Sequence, residues 1–193
     1  MSQEDVVRAL QDPGFYPHRP ERVEHVQTHI SHVFLAGPYV YKLKKAVRFS
    51  FLDFSTPELR RHFCDEEVRL NRRLSPSVYL GVVPITHEAG GRLQLGASGE
   101  AVEHVVWMRR LPADRMLVNL VTRGAACTDM MDALAGRLAA FHGSASGGPE
   151  VSVHADPERL VSRWEGVVAG AAPFAGVLLG PEEHDILTDF GPA

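Results

Sequence analysis

A chain of 193 residues can hold one ordinary domain, or one and a half small ones. Its content of 45% hydrophobic and 23% charged residues is typical of a globular protein with a buried core. The net charge of −4 argues against a protein that coats nucleic acid, so we expect no nucleic-acid partner.

The sequence has few features of a secreted, disulfide-bonded or membrane protein. Cys64 and Cys127 are too few and too far apart for a disulfide framework or a zinc site. The N-terminus has neither the basic start nor the apolar segment of a signal peptide. No run approaches the ~18 apolar residues that a membrane span needs. We therefore expect a cytoplasmic protein without a membrane partner.

The first 22 residues are predicted to form a short helix and an extended arm. Val6, Val7 and Leu10 share a helical face, and Asp12-Pro13-Gly14 ends the helix. The sequence then alternates in hydrophobicity, with a tight turn at Gly37-Pro38. Three strands of an antiparallel meander are predicted, over residues 23–30, 32–36 and 40–44.

The third predicted strand carries lysines on one face, because successive side chains of a strand point to opposite sides. Its two faces are Tyr39, Tyr41 and Leu43, and Val40, Lys42 and Lys44. Lys42 lies in the middle of the strand and is expected to be half-buried. Two roles fit Lys44 and Lys45 equally well. They can belong to a ligand site, or they can be solvated lysines that protect an edge strand from aggregation.

A helix is predicted to begin at Pro57. Ser55 or Thr56 can cap it, and Glu58 completes a capping box with Ser55. The aromatic connection before it is expected to pack under this helix. That connection contains Phe49, Phe51, Leu52 and Phe54.

The predicted helix has an apolar stripe with an acid on either side of it. The stripe consists of Leu59, Phe63, Leu70 and Leu74, which lie within about 60° on a helical wheel. Glu66 and Glu67 flank it, and periodicity does not choose between them. An acid beside the core needs a partner because burying an unpaired charge is costly, and the strand lysines are nearest in sequence. The arginines are predicted to face solvent, namely Arg60, Arg61, Arg72 and Arg73.

Further strands and helices complete an α+β chain. Strands are predicted over residues 78–85, 92–95 and 101–108. Helices are predicted over residues 113–122 and 129–142 and from residues 157 and 181, with apolar stripes that we expect to be exposed. The domain prediction is an N-terminal helix and arm (1–22), a mixed lobe (23–110) and an incomplete helical lobe (111–193).

The ten histidines do not predict a metal site. His25, His29 and His32 lie across a predicted strand and turn, without a cluster of carboxylates to complete a ligand set. His104 and His142 are expected to complete hydrogen-bond networks in the core.

Four stretches in order carry a family resemblance: THISHVFLAGPYVYKLKKAVRFSFLDFST, RRHFCDEEVRLNRRLSPSVYLGVVPI, VVWMRRLP and LAGRLAAFH. From about Val23 to His142 the chain resembles the aminoglycoside phosphotransferase-related family of the protein-kinase-like fold, which in bacteria is often fused to a P-loop kinase domain. The small lobe of that fold is an antiparallel sheet with one helix. The resemblance therefore implies such a lobe, followed by part of a helical large lobe.

The resemblance implies an ATP site under the sheet. Lys42 matches the strand lysine that holds the α- and β-phosphates, and Glu67 matches the helix acid that orients it, with Glu66 as second choice. Phosphoryl transfer depends on such a pair because it is mostly positioning and charge stabilisation. Magnesium is implied as the companion of ATP, without ligands in this sequence. The implied segment between the lobes, where backbone groups meet the adenine, includes Val106, Met108 and Arg109.

The chain departs from the family in the parts that carry catalysis. No G-x-G-x-x-G lies between the first strands, no H-G-D catalytic loop follows His142, and no P-loop motif is present. Asp189-Phe190-Gly191 spells a metal-binding triplet, but no catalytic loop precedes it. We therefore assign no catalytic residue and no metal ligand.

The sequence thus predicts the N-terminal, ATP-binding part of a small-molecule phosphotransferase, truncated before its catalytic loop and inactive alone. A C-terminal kinase lobe or a partner protein would complete it. The alternative is a non-catalytic module that binds an anion or a protein. Residues 42–73 hold nine Lys/Arg against five Asp/Glu, a local excess that suits an anion or a solvated helix face.

Overall fold

The computed structural model describes residues 2–88 and 91–189. In this part of the chain a six-stranded antiparallel sheet, a two-stranded hairpin and seven α-helices are present. The α+β class predicted from the sequence is confirmed. The chain divides between Thr128 and Asp129 into two compact units, whereas the sequence places a boundary after residue 110.

The sheet lies in the first unit. The strands in chain order are β1 (Val23–Gln27), β2 (Ser31–Ala36), β3 (Tyr39–Lys44), β4 (Arg48–Phe49), β5 (Leu52–Asp53), β6 (Tyr79–His87), β7 (Leu93–Leu95) and β8 (Ala101–Arg109). The large sheet has the order β1-β2-β3-β8-β6-β7, and β4 pairs with β5 alone. Because β8 inserts beside β3, the lysine-bearing strand lies inside the sheet and not at its edge.

The helices follow the predicted order. They are α1 (Gln3–Gln11), α2 (Pro57–Asn71), α3 (Leu117–Thr122), α4 (Thr128–Gly143), α5 (Pro149–Ser152), α6 (Pro157–Ala171) and α7 (Pro181–Asp189). Asp156 caps α6 as its sequence suggests, since its side chain accepts from the Glu158 amide at 2.9 Å. Of the final triplet, Phe190 and Gly191 lie outside the described residues.

Helix α1 covers one face of the sheet. Its Val6 and Leu10 side chains are buried in one cluster with Phe34, Tyr41 and Leu43 of the strands. The Ser2 side chain accepts from the Asp5 amide, and the Asp5 carboxylate accepts from the Ser2 amide in return. This capping box fixes where α1 begins. The N-terminal helix is therefore part of the core of the first unit.

Helix α2 covers the other face, but with a different side from the predicted one. Its buried residues are Arg60, Cys64 and Val68, and the Cys64 and Val68 side chains pack with Val106 of β8. Leu70 of the predicted stripe is 40% exposed, so the predicted Leu59–Phe63–Leu70–Leu74 stripe is wrong as the contact face. Small and polar residues face the sheet here because β3 presents lysines to the helix.

Two predictions at the start of α2 are also wrong. Arg60, predicted to face solvent, is 5% exposed. Thr56 caps the helix by accepting from the Leu59 amide at 3.3 Å. Ser55 donates to the Asp53 carboxylate from both its amide and its hydroxyl instead, so it does not form the predicted capping box.

The aromatic connection does not pack under α2 as a whole. Strands β4 and β5 form a small hairpin, closed by an ion pair of 3.3 Å between Arg48 and Asp53. Phe49 and Phe51 stack on each other in this hairpin, with Phe51 81% exposed. Only Phe54 of the four predicted residues is buried. A hairpin can hold two aromatic rings against each other without help from the core.

The second unit consists of helices, and none of its described residues is buried. Apolar side chains are exposed before and within it, as the helical stripes predict. Those exposed by more than a third include Met116, Leu117, Val118, Val121, Met130, Leu134 and Leu138. Among the helices that the structure describes, none is both long and apolar enough to span a membrane.

Candidate functional site

Lys42 and Lys44 lie on the α2 side of the sheet. They alternate with Tyr41 and Leu43, which are buried on the α1 side. Lys42 is opposite Val106 of β8 in the strand register. The predicted assignment of the two faces of β3 is confirmed.

Glu67 of α2 holds both lysines, one on each carboxylate oxygen. The Lys42 Nζ lies 2.9 Å from Glu67 Oε1, and the Lys44 Nζ lies 2.8 Å from Glu67 Oε2. The side chains of Lys42, Glu67 and Lys44 are 27%, 14% and 6% exposed, respectively. We refer to these three residues as the lysine–glutamate triad. Lys42 is its most accessible member.

Glu66 points to another partner. Its carboxylate accepts from Arg69 one turn later, at 2.8 and 2.6 Å, and this pair is exposed. Glu67, the first choice from the sequence, is therefore the acid beside Lys42. Surface pairs of this type contribute little to stability, so Glu66 provides a matched reference for Glu67.

The triad keeps Glu67 ionised. Burial alone would raise the pKa of the Glu67 carboxyl, but the hydrogen bond and charge of Lys44, followed by those of Lys42, outweigh it and lower this pKa below 4.5. Two ammoniums and one carboxylate carry a net charge of +1. The site is therefore a fixed positive charge at the surface of a sheet.

Lys44 is a residue for which the sequence predicts two roles equally well. It is buried, and its Nζ lies 4.8 Å from the centre of the Phe54 ring, in reach of a cation–π contact. The edge-strand interpretation of Lys44 is wrong because β8 pairs with β3 on the side away from β2. Its signal in the sequence was the alternation that places it on the same face as Lys42.

The distribution of lysines supports a special role for this strand. Of the 20 basic residues, three are lysines, and these are Lys42, Lys44 and Lys45. Every other basic residue is an arginine. Lysine presents a compact charge on a flexible stem, whereas arginine presents a planar fork. Lysine therefore occurs only within residues 42–45, the segment that contains two members of the triad.

The end of β8 borders a surface cavity on the face of Lys42. Its volume is about 420 Å³, and it is lined among others by Val40, Tyr79, Met108, Arg109 and Leu111. Val40 precedes Lys42 by two residues, so the two side chains share a face of β3 and lie about 7 Å apart along it. An apolar cavity and a fixed positive charge are therefore neighbours.

The predicted linking segment is still part of the sheet. Val106 is fully buried between Lys42 and Val82 in the strand register, and the Arg109 amide donates to the Val78 carbonyl at 2.8 Å. The backbone of this segment is thus engaged in strand pairing. Met108 and Arg109 line the cavity, and contact of this segment with adenine stays a prediction.

A second buried ion pair lies at the start of α2. Arg60 pairs with Glu103 of β8, and its guanidinium also donates to the Phe54 carbonyl at 2.9 Å. The side-chain amide of Gln3 in α1 donates from Nε2 to the Glu103 carboxylate at 3.2 Å and to the Lys44 carbonyl at 2.9 Å. This network joins both helices to the end of the strand that carries the triad.

The histidines do not form a metal site in the described residues. His25 and His32 lie 3.0 Å apart, between Nε2 and Nδ1, and burial followed by the charges of Lys45 and His25 lowers the pKa of His32 to about 4. Across residues 2–88 and 91–189, no three His, Cys, Asp or Glu side chains are grouped to hold a metal ion. The buried His104 Nδ1 has no hydrogen-bond partner among the described residues, so a network through His104 stays a prediction. His142 is exposed, so its predicted place in the core is wrong.

Three uncharacterized mycobacterial proteins are similar to this chain. They are the uncharacterized protein Mb2027c of Mycobacterium bovis and the uncharacterized proteins MT2060 and Rv2004c of Mycobacterium tuberculosis. Each is 34% identical over 138 residues, which cover 72% of this chain and 26% of the relative. The match thus spans about a quarter of the length of the curated relatives. No family model matches the chain, and no solved structure matches it.

Proposed function

We propose that this chain is the ATP-binding part of a small-molecule phosphotransferase of the protein-kinase-like type, related to aminoglycoside phosphotransferases. The observation that carries the proposal is the pair between Lys42 of β3 and Glu67 of α2, at 2.9 Å. In that fold a strand lysine and a helix acid must meet for phosphoryl transfer.

The order of elements supports the proposal. A three-stranded meander is followed by a helix that carries the acid, then by β6 and β8. The last of these strands lies directly beside the lysine strand, so the chain leaves the sheet toward its later helices next to the site. This order of parts resembles that of the small lobe of the protein-kinase-like fold.

The cavity beside Val40 supports an adenine site. Its volume of about 420 Å³ lies in the range of small-molecule pockets. A base held between Val40 and Met108 would place the first phosphates along β3, within reach of the Lys42 ammonium. Lys42 is suited to this task because it is the exposed member of the triad, and charge-assisted hydrogen bonds to phosphate are strong.

In this proposal the residues of the site have separate roles. Lys42 binds phosphate oxygens, Glu67 orients Lys42, and the cavity side chains hold the base. Bound Mg²⁺ would neutralise charge on the phosphates, and no described residue is assigned to hold it. A general base contributes about 10²–10⁴ in rate. The H-x-D triplet His154-Ala155-Asp156 lies at the start of α6, where the Asp156 side chain caps the helix by accepting from the Glu158 amide. Because no H-G-D motif occurs in the sequence, we propose nucleotide binding without appreciable turnover by this chain alone.

The test is calorimetric titration of the purified chain with ATP in magnesium buffer. We expect Lys42→Met to lower ATP affinity about 100-fold, because the only accessible ammonium of the triad is lost while the apolar stem is kept. Lys45→Met, which removes a neighbouring lysine outside the triad, is the matched control and should leave the affinity within about twofold.

Adenosine and inorganic triphosphate separate the competing outcomes. Tight binding of triphosphate with no contribution from adenosine would support the alternative, a non-catalytic anion-binding module. ATP affinity that is the same in wild type and Lys42→Met would contradict both. Failure of the wild-type chain to bind ATP or adenosine would remove the proposed function.

A further inference from the structure

We propose that Lys44 is a positioning residue for Lys42: it balances the charge of Glu67, so that the Lys42 ammonium keeps its own charge for the phosphates of the ligand. The role rests on the proposed nucleotide site. A pair of one lysine and one acid is expected in that fold, whereas a second, buried lysine on the same acid is a feature of this structure.

The geometry assigns each lysine its own oxygen. Lys44 occupies Glu67 Oε2 at 2.8 Å and Lys42 occupies Oε1 at 2.9 Å. The carboxylate is therefore held from both sides, and its rotation would break at least one of the two bonds. Lys44 thus fixes the oxygen that Lys42 uses.

The two lysines differ in access. Lys44 is 6% exposed and lies against the Phe54 ring, and Gln3 donates to its backbone carbonyl. A side chain enclosed in this way cannot reach a ligand at the surface. Lys42 is 27% exposed. Lys44 therefore acts through Glu67, and Lys42 is the member that meets the ligand.

Lys44 makes the net charge of the triad positive. With both lysines the triad carries a net charge of +1, whereas without Lys44 the remaining pair is neutral. An anion then gains little from the site, because Glu67 repels it nearly as strongly as Lys42 attracts it. One unit charge about 7 Å from a phosphate, at an effective dielectric constant of about 40, changes affinity roughly tenfold.

The first test compares ligands that differ in charge. Lys44→Met should lower ATP affinity roughly tenfold and leave adenosine affinity unchanged, since adenosine carries no phosphate. Lys45→Met removes the same charge from the adjacent residue and should change neither. Equal ATP affinity in wild type and Lys44→Met would overturn the role of Lys44. An equal loss of ATP and adenosine affinity would also overturn it, because that result indicates a damaged fold.

A double variant tests whether Lys44 acts through Glu67. Lys44→Met with Glu67→Gln leaves Lys42 as the one charged member, so the local charge returns to +1 and no buried charge lacks a partner. We expect this variant to bind ATP at least tenfold more tightly than Lys42→Met, because Lys42 keeps its charge, but more weakly than wild type, because the ion pair that orients Lys42 is lost. A double variant that binds ATP as weakly as Lys42→Met would overturn the charge-balance role. This comparison stands even if Lys44→Met alone does not fold.

A measurement without nucleotide separates this role from the proposed function. The carboxyl carbon signal of Glu67, followed by NMR against pH, reports its pKa. Cys64 and Tyr79 interact electrostatically with Glu67, and both titrate far above the range of a carboxyl. Lys44→Met should raise the pKa of Glu67, and Lys45→Met should not. An unchanged pKa overturns the role of Lys44, whereas absent ATP binding with a raised pKa overturns only the nucleotide site.

Discussion

Glu67→Gln is expected to lower the free energy of unfolding by about 3–5 kcal/mol, the cost of leaving a buried charge without its partner. The Lys44 side chain is 6% exposed and has its ion pair with Glu67 alone among the described residues. Glutamine keeps the size of the side chain and one acceptor oxygen but removes the charge. The loss therefore measures the electrostatic contribution of Glu67.

Glu66→Gln is the matched control. Glu66 is the preceding residue, and its ion pair with Arg69 is exposed. We expect urea denaturation to show the same midpoint for this variant as for wild type. A midpoint that falls equally in Glu66→Gln and Glu67→Gln would contradict the placement of Glu67 between the lysines.

The pH dependence of the same comparison provides a second check. The pKa of Glu67 is lowered below 4.5 in the folded protein, through its bonds to Lys44 and Lys42 that outweigh burial. Its stabilising contribution is therefore present above pH 4.5 and is lost as the pH falls through the folded pKa. Wild type and Glu67→Gln should differ most at neutral pH and converge on acidification.

Arg60→Met is expected to destabilise the chain by a similar amount, about 3–5 kcal/mol. The side chains of Arg60 and Glu103 are 6% and 3% exposed, and the Gln3 side chain also donates to this carboxylate. Methionine fills the space of the arginine stem but leaves the Glu103 charge buried. The effect should appear as a lower urea midpoint.

Two further variants define the origin of this loss. Arg61→Met changes the next residue, whose contact with Asp65 is 3.9 Å long and exposed, and should leave the midpoint unchanged. Arg60→Met combined with Glu103→Leu removes both charges and should recover most of the stability, because an apolar pair tolerates burial. Persistent destabilisation in the double variant would mean that Arg60 acts through its bonds to backbone carbonyls.

Local sequence patterns predict the six strands of the large sheet, every α-helix except α5, and the two faces of β3, but not the β4–β5 hairpin. Alternation in the third strand placed Lys42 and Lys44 together, and the capping residues placed the start of α2 within one residue. These features depend on neighbours in sequence. The acid near the lysines was also predicted, although two candidates remained equally periodic.

The features that the sequence does not predict correctly depend on residues far away in the chain. The sequence does not decide whether Lys44 is a solvated lysine on an edge strand or part of a ligand site. The reason is that the place of β3 in the sheet depends on β8, about sixty residues later. The predicted contact face of α2 is wrong because the most apolar stripe of this helix is not the side that packs on the sheet. The sheet below presents charges, so Glu67 and Arg60 turn inward where partners satisfy them.

The most direct measurement of the central claim is to find which lysine lies beside the phosphates of bound ATP. An acyl phosphate of ATP transfers its acyl group to a nearby lysine amine and releases ATP, and mass spectrometry then identifies the modified residue. The chain has three lysines, Lys42, Lys44 and Lys45, so each serves as a control for the others. We predict acylation mainly at Lys42, suppressed by excess ATP. Labelling of Lys45 at least as strong as that of Lys42, unaffected by ATP, would contradict a nucleotide site at the triad.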